Sequence, residues 1–195
     1  MAIVASGGAN IASLQFALQR LGVASTVTAD SRVIRAAHHV LLPGVGAADD
    51  AMARLQRAGL AGVLSQLTRP VLGICLGMQL LFDSSEEGDA RCLGIISGRV
   101  QRLPVAAGRP VPHVGWNTLD EVRPSPLLEG ICAGDHVYFV HSFAVPNGPA
   151  TVAATDYGLS FSACVSHQNF HGAQFHPERS AAVGARLLRN FLALS

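Results

Sequence analysis

The run Val71-Leu72-Gly73-Ile74-Cys75-Leu76-Gly77-Met78-Gln79 constrains this chain more than any other stretch. An apolar segment enters a Gly-x-Cys-x-Gly, and a helix-forming segment leaves it. That is the pattern of a nucleophile elbow, with cysteine where serine is usual. On such a strand-to-helix turn the nucleophile takes a strained backbone conformation. Flanking side chains would clash there, which explains glycine on both sides. The pattern predicts that the Cys75 sulfur projects to solvent over a sheet edge. It also predicts a helix N-terminus beside the sulfur, whose unpaired N–H groups favour the thiolate.

An elbow needs a buried strand before it and a sheet around it, and the flanking sequence supplies both. Ala2 to Ala5 is a short apolar run ending at Gly7-Gly8, a strand followed by a tight turn. Asn10 to Leu21 places Ile11, Leu14, Leu18 and Leu21 at helical spacing, and Gly22 supplies the stop. Val23 to Thr28 is rich in β-branched residues and is expected to be the next strand. His39 to Leu42 is a third, ended by Pro43-Gly44-Val45-Gly46. Helices are predicted near 47–57 and 60–67, before Val71 to Ile74 leads into the elbow. This order implies an α/β fold: an open, mostly parallel sheet with helices on both faces. From Gly94 to Tyr157 short β-like pieces alternate with Pro and Gly, which predicts a β-rich antiparallel extension. Phe161 to Val165 and Gly172 to Phe175 are expected as closing strands, and Ala181 to Leu194 as a final amphipathic helix. The 195 residues are expected to form a single domain.

Composition narrows the function classes. With 14 Lys+Arg against 13 Asp+Glu the formal charge is +1, so no electrostatic case for nucleic acid or a membrane surface arises. No apolar run is long enough to span a bilayer, and the N-terminus lacks the basic and long apolar regions of a signal peptide. The cysteines Cys75, Cys92, Cys132 and Cys164 form no C-x-x-C pair. They read as reduced thiols of a cytoplasmic protein, with Cys92, Cys132 and Cys164 as buried small hydrophobes. His38-His39 and His167/His171 lack companion ligands at suitable spacing, so no metal site and no cofactor are expected.

A cysteine nucleophile needs a base, and the base needs an orienter. The candidates stand in Gln174-Phe175-His176-Pro177-Glu178. Residues two apart on an extended segment face the same side, and Pro177 disfavours helix at His176. Glu178 can then hold one imidazole nitrogen while the other faces Cys75. An oxyanion needs two preorganised donors. The N–H of Leu76, directly after the nucleophile, is one. A backbone N–H of the Gly44–Gly46 loop, assigned to Val45, is the natural second. Glycines on both sides let that peptide flip at modest cost, so the hole is open to completion by a partner.

These residues resemble a family. Gly73 to Gln79, together with Gln174 to Glu178, is similar to the class I, triad-type glutamine amidotransferases. Leu42 to Gly46, Pro112-His113-Val114-Gly115-Trp116-Asn117 and Tyr138-Phe139-Val140-His141-Ser142-Phe143 are similar to their histidine-biosynthetic branch. The resemblance covers essentially the whole chain. It implies that Cys75 attacks the side-chain amide of glutamine, that His176 moves the proton and that Glu178 orients His176. It further implies a substrate pocket lined by Gly44, Gly46, Gln79, Ser142 and Phe143. Many relatives carry Tyr at the position of Phe143. The acid that commonly ends the first strand is here Ala5.

The resemblance also implies a partner. Ammonia released into neutral water is mostly ammonium, which is no nucleophile, and the chain carries no second catalytic motif. The acceptor chemistry is therefore expected on a (β/α)8-barrel cyclase in a heterodimer. That cyclase would use the ammonia to form imidazole glycerol phosphate and aminoimidazole carboxamide ribotide. By resemblance Asn10, Trp116, Asn117, Tyr138 and Arg179 line the partner face. From the residues alone Trp116 fits either an interface anchor or a core plug. The alternatives are a glutaminase subunit of another enzyme, such as pyridoxal phosphate synthase, and a non-catalytic adaptor on the same fold.

Overall fold

Short all-apolar runs alternate with amphipathic ones through the first half of the chain, and the elements follow that alternation. A computed structural model describes residues 1–5 and 11–195. Strand β1 (Ala2–Val4) is buried throughout. Helix α1 (Ile11–Arg20) turns Leu14, Ala17 and Leu18 inward. Then come β2 (Thr26–Thr28), α2 (Ser31–Ala36), β3 (Val40–Gly44), α3 (Ala48–Arg57), α4 (Ala61–Ser65) and β4 (Val71–Cys75). Helix α3 buries Ala48, Ala51, Met52 and Leu55, the i, i+3, i+4, i+7 stripe. Its Asp49 and Asp50 lie in the first turn and Arg54 and Arg57 in the last, each matching the helix dipole. A single helical turn, α5 (Leu76–Gln79), follows β4.

The chain then turns to β structure: β5 (Phe82–Ser85), β6 (Ala90–Arg91), β7 (Ile96–Arg102), β8 (His113–Thr118), β9 (Glu121–Val122), β10 (His136–His141) and β11 (Phe143–Ala144). Strands β12 (Thr151–Asp156), β13 (Ser160–His167) and β14 (Phe170–Ala173) precede the last helix, α6 (Ala181–Ala193). The main sheet has the order β2-β1-β3-β4-β14-β13-β12-β9. From β2 to β14 neighbouring strands are parallel, and from β14 to β9 antiparallel. Strands β8 and β10 form an antiparallel ribbon, and β11-β7-β5-β6 a small mixed sheet.

Strand alternation places a core on each face of the main sheet. Ala2, Val4, Val40, Leu42 and Val71 pack with α3 and α4, whereas Ile3, Leu41, Leu72 and Ile74 pack with α1 and α6. Both faces of the parallel part are covered, as its near-continuous apolar strands require. Strands β3 and β14 flank β4, with Gly44 opposite Cys75 and Ala173 opposite Ile74. The carboxyl ends of these three strands therefore deliver Val45, Cys75 and the Gln174–Glu178 segment to one place.

Several expectations shift. Residues 23–25 are not strand: Val23 N–H donates to Leu18 O and Gly22 N–H to Gln19 O, so this stretch closes α1 instead. Helix α2 is an addition, started by Asp30, whose side chain accepts from Arg32 N–H at 2.8 Å. Strand β3 runs on through Pro43 and Gly44, because they pair with Ile74 and Cys75. The β-rich extension starts at Phe82 rather than Gly94, and β5 pairs with β7 in parallel. Cys132 is exposed, whereas Cys92 and Cys164 are buried. Burial pushes the Cys92 thiol up to about 11 and the Cys164 thiol further still, which leaves both inert. Among the described residues no helix is long and apolar enough to cross a membrane.

Candidate active site

Cys75 sits at φ 54° and ψ −115°, a conformation that costs a side-chain-bearing residue about 1–3 kcal/mol. The neighbouring glycines make it reachable. A Cβ at Gly73 would stand 2.6 Å from Gly77 O, and one at Gly77 would overlap Leu42 O. The elbow thus presses α5 directly onto β3. The helix is one turn long and the sulfur does not project freely: Cys75 is 7% exposed and opens into a cleft of about 320 Å3. Its thiol donates to Val140 O at 3.6 Å, and Gln174 Nε2 donates to the sulfur at 3.8 Å.

His176 lines the same cleft as Cys75 and, through Nδ1, hydrogen-bonds Glu178 Oε1 at 2.8 Å. The route differs from simple strand alternation. His176 is extended at φ −94° and ψ 102°, but Pro177–Arg179 is a 3-10 turn that folds Glu178 back onto the imidazole. Ser180 holds this turn: its hydroxyl donates to His176 O at 2.8 Å and accepts from Tyr138 N–H at 3.0 Å. Burial alone would lower the His176 pKa. Hydrogen bonds to Cys75 and Glu178, and the charges on both, outweigh it and raise the value to about 10. Two acids thus flank the imidazole and favour its protonated form.

The cleft is lined by Val45, Gly46, Leu76, Gln79, Ser142, Phe143 and Arg179 around Cys75 and His176. Gly44 is buried and does not line it. A Cβ there would be 2.6 Å from Gly77 N, so its bareness serves the α5–β3 approach. Gln79 uses its NH2 group within the protein, donating to Phe143 O at 2.8 Å and Gln174 Oε1 at 3.0 Å. Its carbonyl oxygen is what it can offer the cleft. The sequence reading missed Glu87, His141, Gln174 and Ser180. Glu87 lines the cleft and accepts from Ala48 N–H at 3.1 Å, while desolvation raises its carboxyl above its ordinary value. Gln174 and His141 stand inside the motifs quoted above without a role assigned, Ser180 is bonded to His176 O four residues away, and only Glu87 is brought to the site by long-range contacts alone. A larger cleft of about 430 Å3, between β7 and the 145–151 segment, contains neither Cys75, His176 nor Glu178.

Of the residues expected to face a partner, Trp116 is 53% exposed, which removes the core-plug reading. It lies mid-strand in β8 rather than in a loop, opposite Tyr138, with ring centroids 5.8 Å apart. The Arg179 guanidinium stands 4.2 Å over the Tyr138 ring. Asn117 is used internally: its amide donates to Asp156 O at 3.0 Å and its Oδ1 accepts from Thr118 N–H. Asn10 and the turn before it lie outside the described residues.

A family model described as Glutamine amidotransferase class-I matches residues 3–194. A protein of Xylella fastidiosa named imidazole glycerol phosphate synthase subunit HisH is 55% identical over 192 residues, 98% of this chain and 96% of that protein. One of the same name from Xanthomonas campestris pv. campestris is 52% identical over 195 residues, 100% of this chain and 98% of the relative. Among solved structures, a glutamine amidotransferase superposes with TM-score 0.74 at 18% identity, covering 98% of this chain and 96% of the other. The glutaminase domain of Trypanosoma brucei CTPS gives 0.65 at 15% identity, covering 100% and 94%. These two speak for the fold.

Proposed function

The chain belongs to the glutamine amidotransferase class-I family, and from that premise we propose that Cys75, His176 and Glu178 hydrolyse L-glutamine to L-glutamate and ammonia for imidazole glycerol phosphate synthase in histidine biosynthesis. One observation carries the reading: the elbow cysteine meets an imidazole already oriented by a carboxylate, inside a cleft. The Cys75 thiolate attacks the side-chain amide carbon of glutamine. The resulting oxyanion accepts from the N–H groups of Leu76 and Val45. Imidazolium His176 gives its proton to the departing ammonia, leaving a glutamyl thioester. Water then attacks the thioester as His176 takes its proton, and thiolate leaves as glutamate forms. Glu87 brings a carboxylate to the same cleft, where it suits the α-ammonium group of glutamine. Gly46, Gln79 Oε1, Ser142 and Phe143 complete the wall, and Gly44 shapes it from beneath by letting α5 approach β3.

The ammonia goes to a (β/α)8-barrel cyclase subunit of the same enzyme, which forms imidazole glycerol phosphate and aminoimidazole carboxamide ribotide. The exposed Trp116, with Tyr138 and Arg179 beside it, is the proposed docking patch, with Asn117 at its edge and Asn10 assigned by resemblance. Such a biosynthetic pair works in the cytoplasm, as a single amidotransferase domain docked on a barrel. Glutamate production from glutamine, measured with and without the cyclase and its ligand, tests the reading. Cys75→Ser is expected to abolish it, and full activity in that variant overturns the assignment.

A further inference from the structure

We propose that Gln174 is a positioning residue for the nucleophile, its buried side-chain amide locked so that the NH2 group faces the Cys75 sulfur. This rests on the reading of Cys75 as nucleophile. The backbone of Gln174 is fixed by donation to Ala163 O at 2.9 Å, and the residue is fully buried. Nothing in that position allows an amide to choose its orientation freely, and its neighbours dictate it.

The polarity is set at the Phe143 carbonyl, which can only accept. Gln79 faces it at 2.8 Å and His141 Nδ1 at 2.9 Å, so both atoms must be donors: the Gln79 NH2 and an Nδ1–H tautomer of His141. The Gln79 NH2 also faces Gln174 at 3.0 Å, so the Gln174 atom there is its carbonyl oxygen. Its nitrogen is thereby turned to Cys75 Sγ, at 3.8 Å. On the other side His141, protonated at Nδ1, leaves Nε2 as acceptor. His113 Nδ1, 3.0 Å away, must then carry the hydrogen. Two donor runs thus meet at the Phe143 carbonyl: His113 to His141 on one side, and on the other Gln79, which donates both to that carbonyl and to Gln174, whose NH2 then faces the nucleophile.

The direction matters for the chemistry. In the thiol state the sulfur gives its hydrogen to Val140 O. Once that proton has left, the same carbonyl faces an anion, which is unfavourable. Alongside His176, the Gln174 N–H is a donor that favours the anion, and the flipped amide would present a second oxygen to it. Gln174 never touches substrate. It holds the sulfur and biases its ionisation.

The test is the pH dependence of Cys75 alkylation by iodoacetamide in the full chain, with the Cys75 adduct quantified by peptide mapping because the exposed Cys132 reacts too. Gln174→Met keeps the length and removes the donor. Its alkylation midpoint is expected to rise by about half to one pH unit, with a roughly ten-fold loss in glutaminase kcat/KM. Gln174→Glu is expected to shift further. A Gln174→Met variant with an unchanged melting temperature and an unchanged midpoint overturns the proposal. Where neither variant folds, the unaltered chain decides: Gln174 side-chain 15N signals are expected to move with the alkylation midpoint and to lose that dependence in Cys75→Ala. Signals that ignore Cys75 ionisation overturn it. Activity surviving in Cys75→Ala sinks the nucleophile assignment instead, a separable outcome.

Discussion

His113, His141 and His171 are buried neutral imidazoles on strands, and burial lowers their pKa values to about 4, 3 and 4. Released into water on unfolding, each returns to 6.5, so below that pH the unfolded chain binds protons that the folded chain refuses. Their contribution is complete above pH 6.5 and is lost as pH falls toward the folded values. The guanidinium midpoint is therefore expected to decline between pH 6.5 and about 4, and His171→Gln, away from the cleft, should flatten the decline. His176 has the opposite sign. Its raised value of about 10 stabilises the fold fully below 6.5 and loses that effect as pH rises through 10. Ring titration by NMR should find His176 near 10, and much lower in Cys75→Ala, because the hydrogen bond and charge of Cys75 oppose the desolvation. An unchanged titration would mean that the pair is not coupled. At this scale Cys75, His176 and Glu178 are legible in sequence because glycine spacing and an i, i+2 pairing are local. Glu87 and Gln174 are not, because their partners lie far along the chain, and Ser180 is not, because its local bond to His176 O gains its meaning only with the distant Tyr138 N–H.

The elbow is where one element dictates the path of another. Helix α5 lies so close to β3 that the Leu42 carbonyl occupies the space of a Cβ at Gly77. Gly77→Ala must push α5 off the sheet or unpair β3, and either moves Cys75. A loss of about 3 kcal/mol in urea stability is expected, together with loss of glutaminase activity. A stable, active Gly77→Ala would refute this account of the turn. The parallel strands were readable from their apolar runs, since burial on both faces leaves little else for those segments to be. Element ends were less readable. Val23 to Ser25 has strand propensity, but the closing turn of α1 uses its backbone. Pro43 looks like a strand terminator, yet it sits within β3 opposite Ile74. The brevity of α5 is also a tertiary effect, with all four of its residues buried.

At the scale of the whole molecule, the aromatic pair Trp116 and Tyr138 adjoins the turn that carries Glu178 and Arg179. Val114 and Trp116 stand on one side of β8, 56% and 53% exposed, while His113 on the other side is buried against Phe139 and Tyr157. These exposed apolar side chains are what the proposed docking surface rests on. Arg179 joins it to the cleft: it stacks on Tyr138, lines the pocket of Cys75 and follows Glu178 in the chain. A partner acid drawing Arg179 off Tyr138 would pull on the turn that orients His176, and docking would thereby reach the triad. Trp116→Ala is expected to weaken binding to the barrel cyclase by about 2 kcal/mol, roughly 30-fold in Kd, without changing the activity of the chain alone. Arg179→Glu is expected to reduce the stimulation of glutaminase by the partner more than it reduces binding, because it reverses the contact and leaves the tryptophan in place. Titration calorimetry and glutamate production, run on the same variants, separate the two effects. If Arg179→Glu is stimulated like the unaltered chain, the turn is not the route by which the partner is sensed. The Val45 peptide between its two glycines is then the remaining route, and an isolated chain as fast as the complex would eliminate that as well.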